Sequence, residues 1–192
     1  MKILHIDSSI QGSSSASRAI SAAAVEALRA RDPDLKVSYR DLAATPLSHL
    51  TLDVFASTEG KAILEEFQAA DIVVIGVALY NFSIPSQLKA WIDRILVKGQ
   101  TFRYGENGPV GLAGDKQAIV ALARGGTYGA GSPFASFEHA ETLMRNVFAF
   151  VGIANFEFIV AEGLALGQDA REASIAAALE RAGQVAPVLV PA

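Results

Sequence analysis

Three short segments carry residue types, at spacings, that suit the holding of a phosphorylated planar ligand. The first is Ser8-Ser9-Ile10-Gln11-Gly12-Ser13-Ser14-Ser15-Ala16-Ser17-Arg18, a hydroxyl-rich loop that runs into a helical pattern. Hydroxyls and the free N–H groups of a helix N-terminus together make a cradle for a phosphate, although the same serines also serve as helix caps and turn formers. The Gly-Lys-Ser/Thr triplet of a triphosphate loop and the G-x-G-x-x-G of a dinucleotide fingerprint are both missing, so a monophosphate is the matching ligand. The second segment is Leu79-Tyr80-Asn81-Phe82. Its backbone amides and the Asn81 carboxamide can bond the polar edge of a ring while Tyr80 and Phe82 supply apolar walls; aromatics at a strand end are also ordinary core residues. The third is Ala123-Arg124-Gly125-Gly126. Paired glycines let main chain approach a ring closely, or simply make a turn, and Arg124 is either structural or a source of positive potential.

These segments matter together only if the fold brings them to one rim. Residues 2–7 form a short apolar run, and helical spacing follows over Ala16–Arg31 through Ile20, Ala23, Ala24, Ala27 and Leu28. Lys36–Arg40 is a weaker strand, and Glu59–Ala69 an amphipathic helix. Asp71–Leu79 is a continuous β-branched run of the kind buried on both faces of a parallel sheet. Pro85 suits the first turn of a helix whose apolar face is Leu88, Trp91, Ile92 and Ile95. A strand at Gln117–Ala123, a helix at Ser136–Val151, a strand at Phe156–Ala161 and a helix at Ala170–Ala186 complete the alternation. Five strands alternating with helices predict a single α/β domain over residues 1–192, a doubly wound five-stranded parallel sheet with helices on both faces. Ligands of such sheets bind beyond the carboxyl ends of the strands, where the three segments lie. The Gly-rich connection Val97–Lys116 is long for a compact domain and reads as a functional loop.

Composition narrows the function. With 51% apolar residues the chain can bury one core, and a net charge of −4 offers no basic field for nucleic acid or an anionic membrane. The absence of cysteine excludes disulfides, thiolate metal sites and a cysteine nucleophile, and the opening MKILHID lacks the features of a secretion signal, so the cytoplasm is the expected compartment. His5 alternates within the first strand as a core residue would, and His49 and His139 have no metal-ligand spacing; no metal is expected. No G-x-S-x-G elbow supports Ser8 or Ser9 as a hydrolytic nucleophile.

The three segments, with RDLA at Arg40–Ala43, QLK at Gln87–Lys89, TFRY-x-ENGP-x-GL at Thr101–Leu112 and AEG at Ala161–Gly163, make the chain resemble the FMN-dependent NADH-azoreductase family nearly end to end. The resemblance implies a flavodoxin-like fold, one noncovalent FMN per subunit, NADH or NADPH as electron donor, and a homodimer with its active sites at the interface. It places phosphate binding on Ser9, Ser15, Ala16 and Ser17, and ring binding on Leu79, Tyr80, Asn81, Phe82, Ala123, Arg124, Gly125 and Gly126. Leu79 stands where the family often has Met, Ala123 where it often has Ser, and Val160 and Leu166 where aromatics are common. The activity so implied is two-electron, ping-pong transfer from the nicotinamide to quinones and azo compounds, with no protein side chain acting as acid or base. A flavodoxin-type electron carrier serving a protein partner would use the same rim; carriers are usually more acidic than this chain.

Overall fold

The computed structural model describes residues 1–188. Strand β1 (Lys2–Asp7) leads through the serine loop to α1 (Ala16–Arg31), and β2 (Lys36–Asp41) is followed by a short α2 (Leu52–Ala56) and by α3 (Thr58–Ala69). Then come β3 (Ile72–Ala78), α4 (Ser86–Ile95), a hairpin of β4 (Phe102–Gly105) and β5 (Gly108–Gly111), β6 (Gln117–Ala123), α5 (Ala140–Val151), β7 (Asn155–Ala161) and α6 (Gln168–Gln184). The main sheet has the order β2-β1-β3-β6-β7 with every pairing parallel. This is the expected doubly wound, flavodoxin-like architecture, and the winding reverses between β1 and β3.

Strict alternation along the strands divides the core into two layers. Ile3, Val74, Ile119, Ala121 and Ile159 face α1 and α6, where Ile20, Ala24, Leu28, Ala178 and Ala182 meet them. Leu4, Ile6, Val73, Ile75, Val120 and Leu122 face the other way, onto Phe67 of α3, Leu88 and Trp91 of α4, and Met144 and Phe148 of α5. All seven residues of β3 and of β6 are buried, which is why these segments read as unbroken apolar runs.

Two local expectations need correction, and one element adds to the plan. The connection Val97–Lys116 is not an open loop: Phe102 to Gly105 pair antiparallel with Gly111 to Gly108. Strands of four residues with glycine at three of the paired positions give no readable alternation. The connection after β2 holds α2, a single capped turn whose Thr51 hydroxyl accepts from Val54 N–H at 3.2 Å. Helix α5 starts at Ala140 instead of Ser136, because the Glu138 carboxylate accepts from Ala140 and Glu141 N–H (3.0 and 2.8 Å) and so fixes where the helix begins. The residues before it form a 3-10 turn, Ala135–Phe137.

The hairpin is clamped to α5. Phe102 packs on Phe150 with ring centroids 4.6 Å apart, and Ala113 N–H donates to Val151 carbonyl at 2.8 Å. Gly111 lies so close to Gly152, the left-handed residue (φ +90°) that ends α5, that a Cβ on Gly111 would come within 2.1 Å of Gly152 N. Gly111→Ala must push the two backbones apart. It is expected to cost about 1–3 kcal/mol, read as a melting temperature several degrees lower by circular dichroism, and an unchanged melting curve would contradict the close approach.

Candidate active site

The serine loop leaves β1 at the switch point and turns through Gly12 (φ +55°) and a 3-10 turn, Gly12–Ser14, into α1. Ser15 is the N-cap of α1: its Oγ accepts from Arg18 N–H at 3.4 Å and lies 3.1 Å from Ser17 Oγ. The first main-chain bond into the helix runs from Ala19 N–H to Ser15 carbonyl (3.2 Å). The N–H groups of Ala16 and Ser17 precede it, and so keep their donors for an acceptor outside the helix.

A buried polar network underlies that loop. Arg18 forms a fork with Asp41 (2.7 Å to each carboxylate oxygen), and its Nε and Nη2 donate to Ser9 carbonyl at 3.2 and 2.9 Å. The Asp41 carboxylate also accepts from Ala43 and Ala44 N–H, both at 3.0 Å, which accounts for the RDLA run. Asp7, buried at the end of β1, accepts from Ser21 Oγ (2.8 Å) and Tyr39 OH (3.0 Å), and His5 Nε2 meets Ser21 Oγ at 3.0 Å. Hydrogen bonding from Arg18 holds the Asp41 carboxyl down at about 2. Burial keeps His5 below its ordinary value, hence neutral, and pushes Tyr39 up to about 12. His, Ser and Asp meet here without access for a substrate, since Ser21 is fully buried.

The segment after β3 forms a tight turn in which Tyr80 and Ser83 exchange two main-chain bonds (2.9 and 3.1 Å). Its central residues, Asn81 (φ +47°) and Phe82 (φ +73°), are both left-handed, a conformation that an aromatic residue rarely takes. Tyr80 OH lies 2.9 Å from Ser9 Oγ and accepts from Ile10 N–H at 3.2 Å, which ties this turn to the serine loop. Leu79 N–H donates to Ala123 carbonyl at 2.8 Å, which ties it to the segment after β6. Phe82 is exposed and packs on Phe137 at 5.3 Å between ring centroids.

Arg124 lies on the other side, buried among carboxylates. Its guanidinium faces Glu138 (3.5 Å), Glu141 and Glu162 (3.5 Å), and Glu162 in turn accepts from Tyr128 N–H at 3.1 Å. Its Nε has no partner among the described residues. Arg124 carbonyl accepts from Leu164 N–H (3.1 Å) and Gly125 carbonyl from Ala165 N–H (2.8 Å), so the loop after β7 braces the paired glycines.

The three segments meet in a cleft of about 280 Å³. Of the predicted residues, Ser15, Ala16, Leu79, Tyr80, Ala123, Arg124 and Gly125 line it. Asn81 lies with Leu79 and Tyr80 on an adjoining cleft of about 560 Å³ that reaches Pro85 and Gln87. Ser9 and Ser17 are fully buried behind the lining, Gly126 packs against the Tyr128 ring, and Phe82 stands at the exposed rim. Sequence reasoning missed Gln11, Ala78, Leu164, Ala165 and Arg171 on the wall. The AEG motif immediately before Leu164 was the available signal for that loop; nothing in the local pattern marked Arg171. Free helix amides at one end, apolar walls from Ala78, Leu79 and Ala123, and glycine main chain with an orphaned Arg124 Nε at the other suit an anion joined to a flat, polar-edged ring.

A parallel α/β sheet with such a cleft at its switch point belongs to the doubly wound class, whose ligands bind beyond the carboxyl ends of the strands, and the comparisons narrow it to a family. A family model described as having a flavodoxin-like fold matches residues 1–186, and the chain belongs to that family. It is 56% identical to an FMN-dependent NADH:quinone oxidoreductase of Methylorubrum extorquens, with 95% of this chain and 97% of that protein covered. It is 55% identical to FMN-dependent NADH:quinone oxidoreductase 2 of Bradyrhizobium diazoefficiens, over 95% and 97%. These relatives are close enough that the chain belongs to their family. Among solved structures, the azoreductase from Bacillus anthracis superposes with a TM-score of 0.88 at 29% identity, covering 96% of this chain and 97% of that one. A second protein of that organism, an FMN-dependent NADH-azoreductase in complex with FMN, shares the fold at a TM-score of 0.82 and 23% identity, over 95% and 96%.

The low carboxyl pKa gives the Arg18–Asp41 pair a pH signature. A folded-state value near 2 against an ordinary 3.8 stabilises the fold above about pH 4, and that contribution disappears as pH falls toward 2. Asp41→Asn is expected to cost on the order of 2 kcal/mol at neutral pH and to flatten the stability profile in this window. Urea unfolding at several pH values checks both effects.

Proposed function

We propose that this protein is an FMN-dependent oxidoreductase that takes electrons in pairs from NADH or NADPH and passes them to quinones and aromatic azo compounds, in alternating half-reactions at one site. The observation that carries the reading is the cleft in which the open amides of α1, the Tyr80 turn and the Gly125 main chain converge. The names of the relatives supply donor and acceptor: NADH and quinone for the related sequences, azo compounds for the superposable structures.

Bound FMN would supply the two-electron redox chemistry itself. The chain would bind and orient it. The Ala16 and Ser17 amides and the Ser15 hydroxyl would hold the phosphate, with Ser17 Oγ orienting the Ser15 hydroxyl from behind and Ser9 fixing the loop through Tyr80. Leu79, Tyr80, Asn81 and Ala123–Gly126 would seat the ring, and Gly125–Gly126 N–H groups would favour negative charge along its polar edge. Phe82 would shape the entrance for the donor and the acceptor. No side chain is assigned as acid or base. Leu79 gives an apolar wall, and Ala123 lacks the hydroxyl that a Ser would bring.

The working unit would be a homodimer of single-domain subunits in the cytoplasm. Among the described residues no helix is long and apolar enough to cross a membrane. Around α5, Phe148 belongs to the core and Leu143 and Phe150 pack partly against it, whereas Phe137 is exposed. The hairpin adds exposed Tyr104 and Val110, with Leu112 just after it. Light scattering should give a mass twice the 20.2 kDa of the chain at micromolar concentration. A monomer with full activity would refute the interface.

Two measurements test the cofactor reading. Protein reconstituted with FMN should show flavin absorbance that bleaches on anaerobic addition of NADH and returns with a quinone; a failure to bind FMN would overturn it. Ser15→Ala should weaken FMN binding by about ten- to a hundredfold, the worth of a hydrogen bond to a charged group. Unchanged affinity with a lower apo melting temperature would instead make this serine a helix cap alone.

A further inference from the structure

The phosphate end of the cleft has a charge problem that the serine loop does not solve. A phosphomonoester carries close to two negative charges at neutral pH, while the loop offers only neutral hydroxyls and amides. Two nearby arginines are already committed. Arg18 is forked onto Asp41, lies 3.9 Å from Asp7, and turns its remaining donors onto Ser9 carbonyl and Tyr39 hydroxyl, behind the loop. Arg124 is enclosed by Glu138, Glu141 and Glu162 at the opposite end of the lining.

Arg171 is the remaining cation on the wall. It stands in the first turn of α6, its N–H bonded to Gly167 carbonyl at 3.1 Å, and it is half-buried. No ion pair forms at Arg171 among the described residues: Glu172, its neighbour, accepts from Gln168 at 2.8 Å, and Asp169 on the same turn is exposed and forms none. The guanidinium reaches across to the serine loop, where Nη2 donates to Ser14 carbonyl at 3.3 Å, one residue before the N-cap of α1. Its position is electrostatically unfavourable for the helix, since the positive end of the helix dipole repels a cation in the first turn. A guanidinium held there, unpaired and beside free amides, is matched to an anion in the cleft.

We propose that Arg171 is the residue that supplies the counter-charge for the phosphate of the bound cofactor, latching α6 onto the serine loop. The inference rests on the FMN reading above. It makes recognition of the phosphate a property of two distant parts of the chain, and it makes cofactor affinity sensitive to salt.

The test compares FMN with riboflavin, which has the same ring and no phosphate, by quenching of flavin fluorescence on titration into apo protein at low and high ionic strength. Arg171→Gln is expected to weaken FMN binding about tenfold at low salt, to leave riboflavin binding unchanged, and to flatten the salt dependence of FMN affinity. Arg171→Lys, which keeps the charge, should retain most of the affinity. Equal losses for FMN and riboflavin would show a structural role, and unchanged FMN affinity would show none; either overturns the proposal. If Arg171→Gln does not fold, as judged by its apo melting curve, the wild type still decides: an FMN affinity no more salt-dependent than that of riboflavin overturns the proposal. A wild type that binds riboflavin and FMN equally well refutes the counter-charge alone, whereas one that binds neither refutes the cofactor reading.

Discussion

The fork between Arg18 and Asp41 is the interaction on which the geometry of the rim depends. It joins the first turn of α1 to the end of β2, and the donors it leaves over fix the carbonyl of Ser9, so three elements meet at one guanidinium. Its worth lies in direction as much as in energy. With Arg18 held inward and Ser15 capping from outside, the first amides of α1 are fixed at the carboxyl end of β1, beside β3 at the switch point. Asp7 extends the constraint to Tyr39 and Ser21, and Gly76 of β3 has no side chain because a Cβ there would come within 2.2 Å of the Asp7 carboxylate.

Around that fixed point the protein spends stability on shape. Asn81 and Phe82 both sit at positive φ, which costs on the order of 1–3 kcal/mol for each strained residue. The turn persists because Tyr80 and Ser83 close it and because Phe82 carbonyl accepts from His139 N–H at 2.9 Å, drawing the segment before α5 toward the rim. Arg124 plays a comparable part on the other side. A buried cation among carboxylates is a poor way to gain stability, but it sets the position of Gly125 and, through Glu162, of Tyr128.

The fold was legible in the sequence because a parallel sheet buried on both faces leaves unbroken apolar runs such as Asp71–Leu79, and because helix and strand periods alternate along the chain on either side of the hairpin. The rim was legible in outline for the same reason: strand ends locate the loops that follow them. Illegible were features that depend on contacts distant in sequence. The hairpin strands are too short to show a period. The start of α5 is decided by the Glu138 carboxylate, which no apolar pattern reports. Ser9 and Ser17 read as ligand hydroxyls, yet they lie behind the cleft surface, where Ser9 meets Tyr80 from 71 positions away. Arg171 is one arginine on a surface helix until α6 is docked against α1.

The way the β4–β5 hairpin is attached has an evolutionary consequence. Its base is held by main chain and small groups: Thr101 Oγ1 on Ile95 carbonyl at 2.6 Å, Ala113 N–H on Val151 carbonyl, and Gly111 pressed to Gly152. Between its two ends, Arg103 to Val110 project mostly exposed side chains that the core does not read. Folding stability therefore constrains the base and not the tip, so the TFRY-x-ENGP-x-GL run that the tip shares with the family pattern answers to something other than folding. Single substitutions on this projecting surface should be nearly neutral for the fold while changing what the surface can meet.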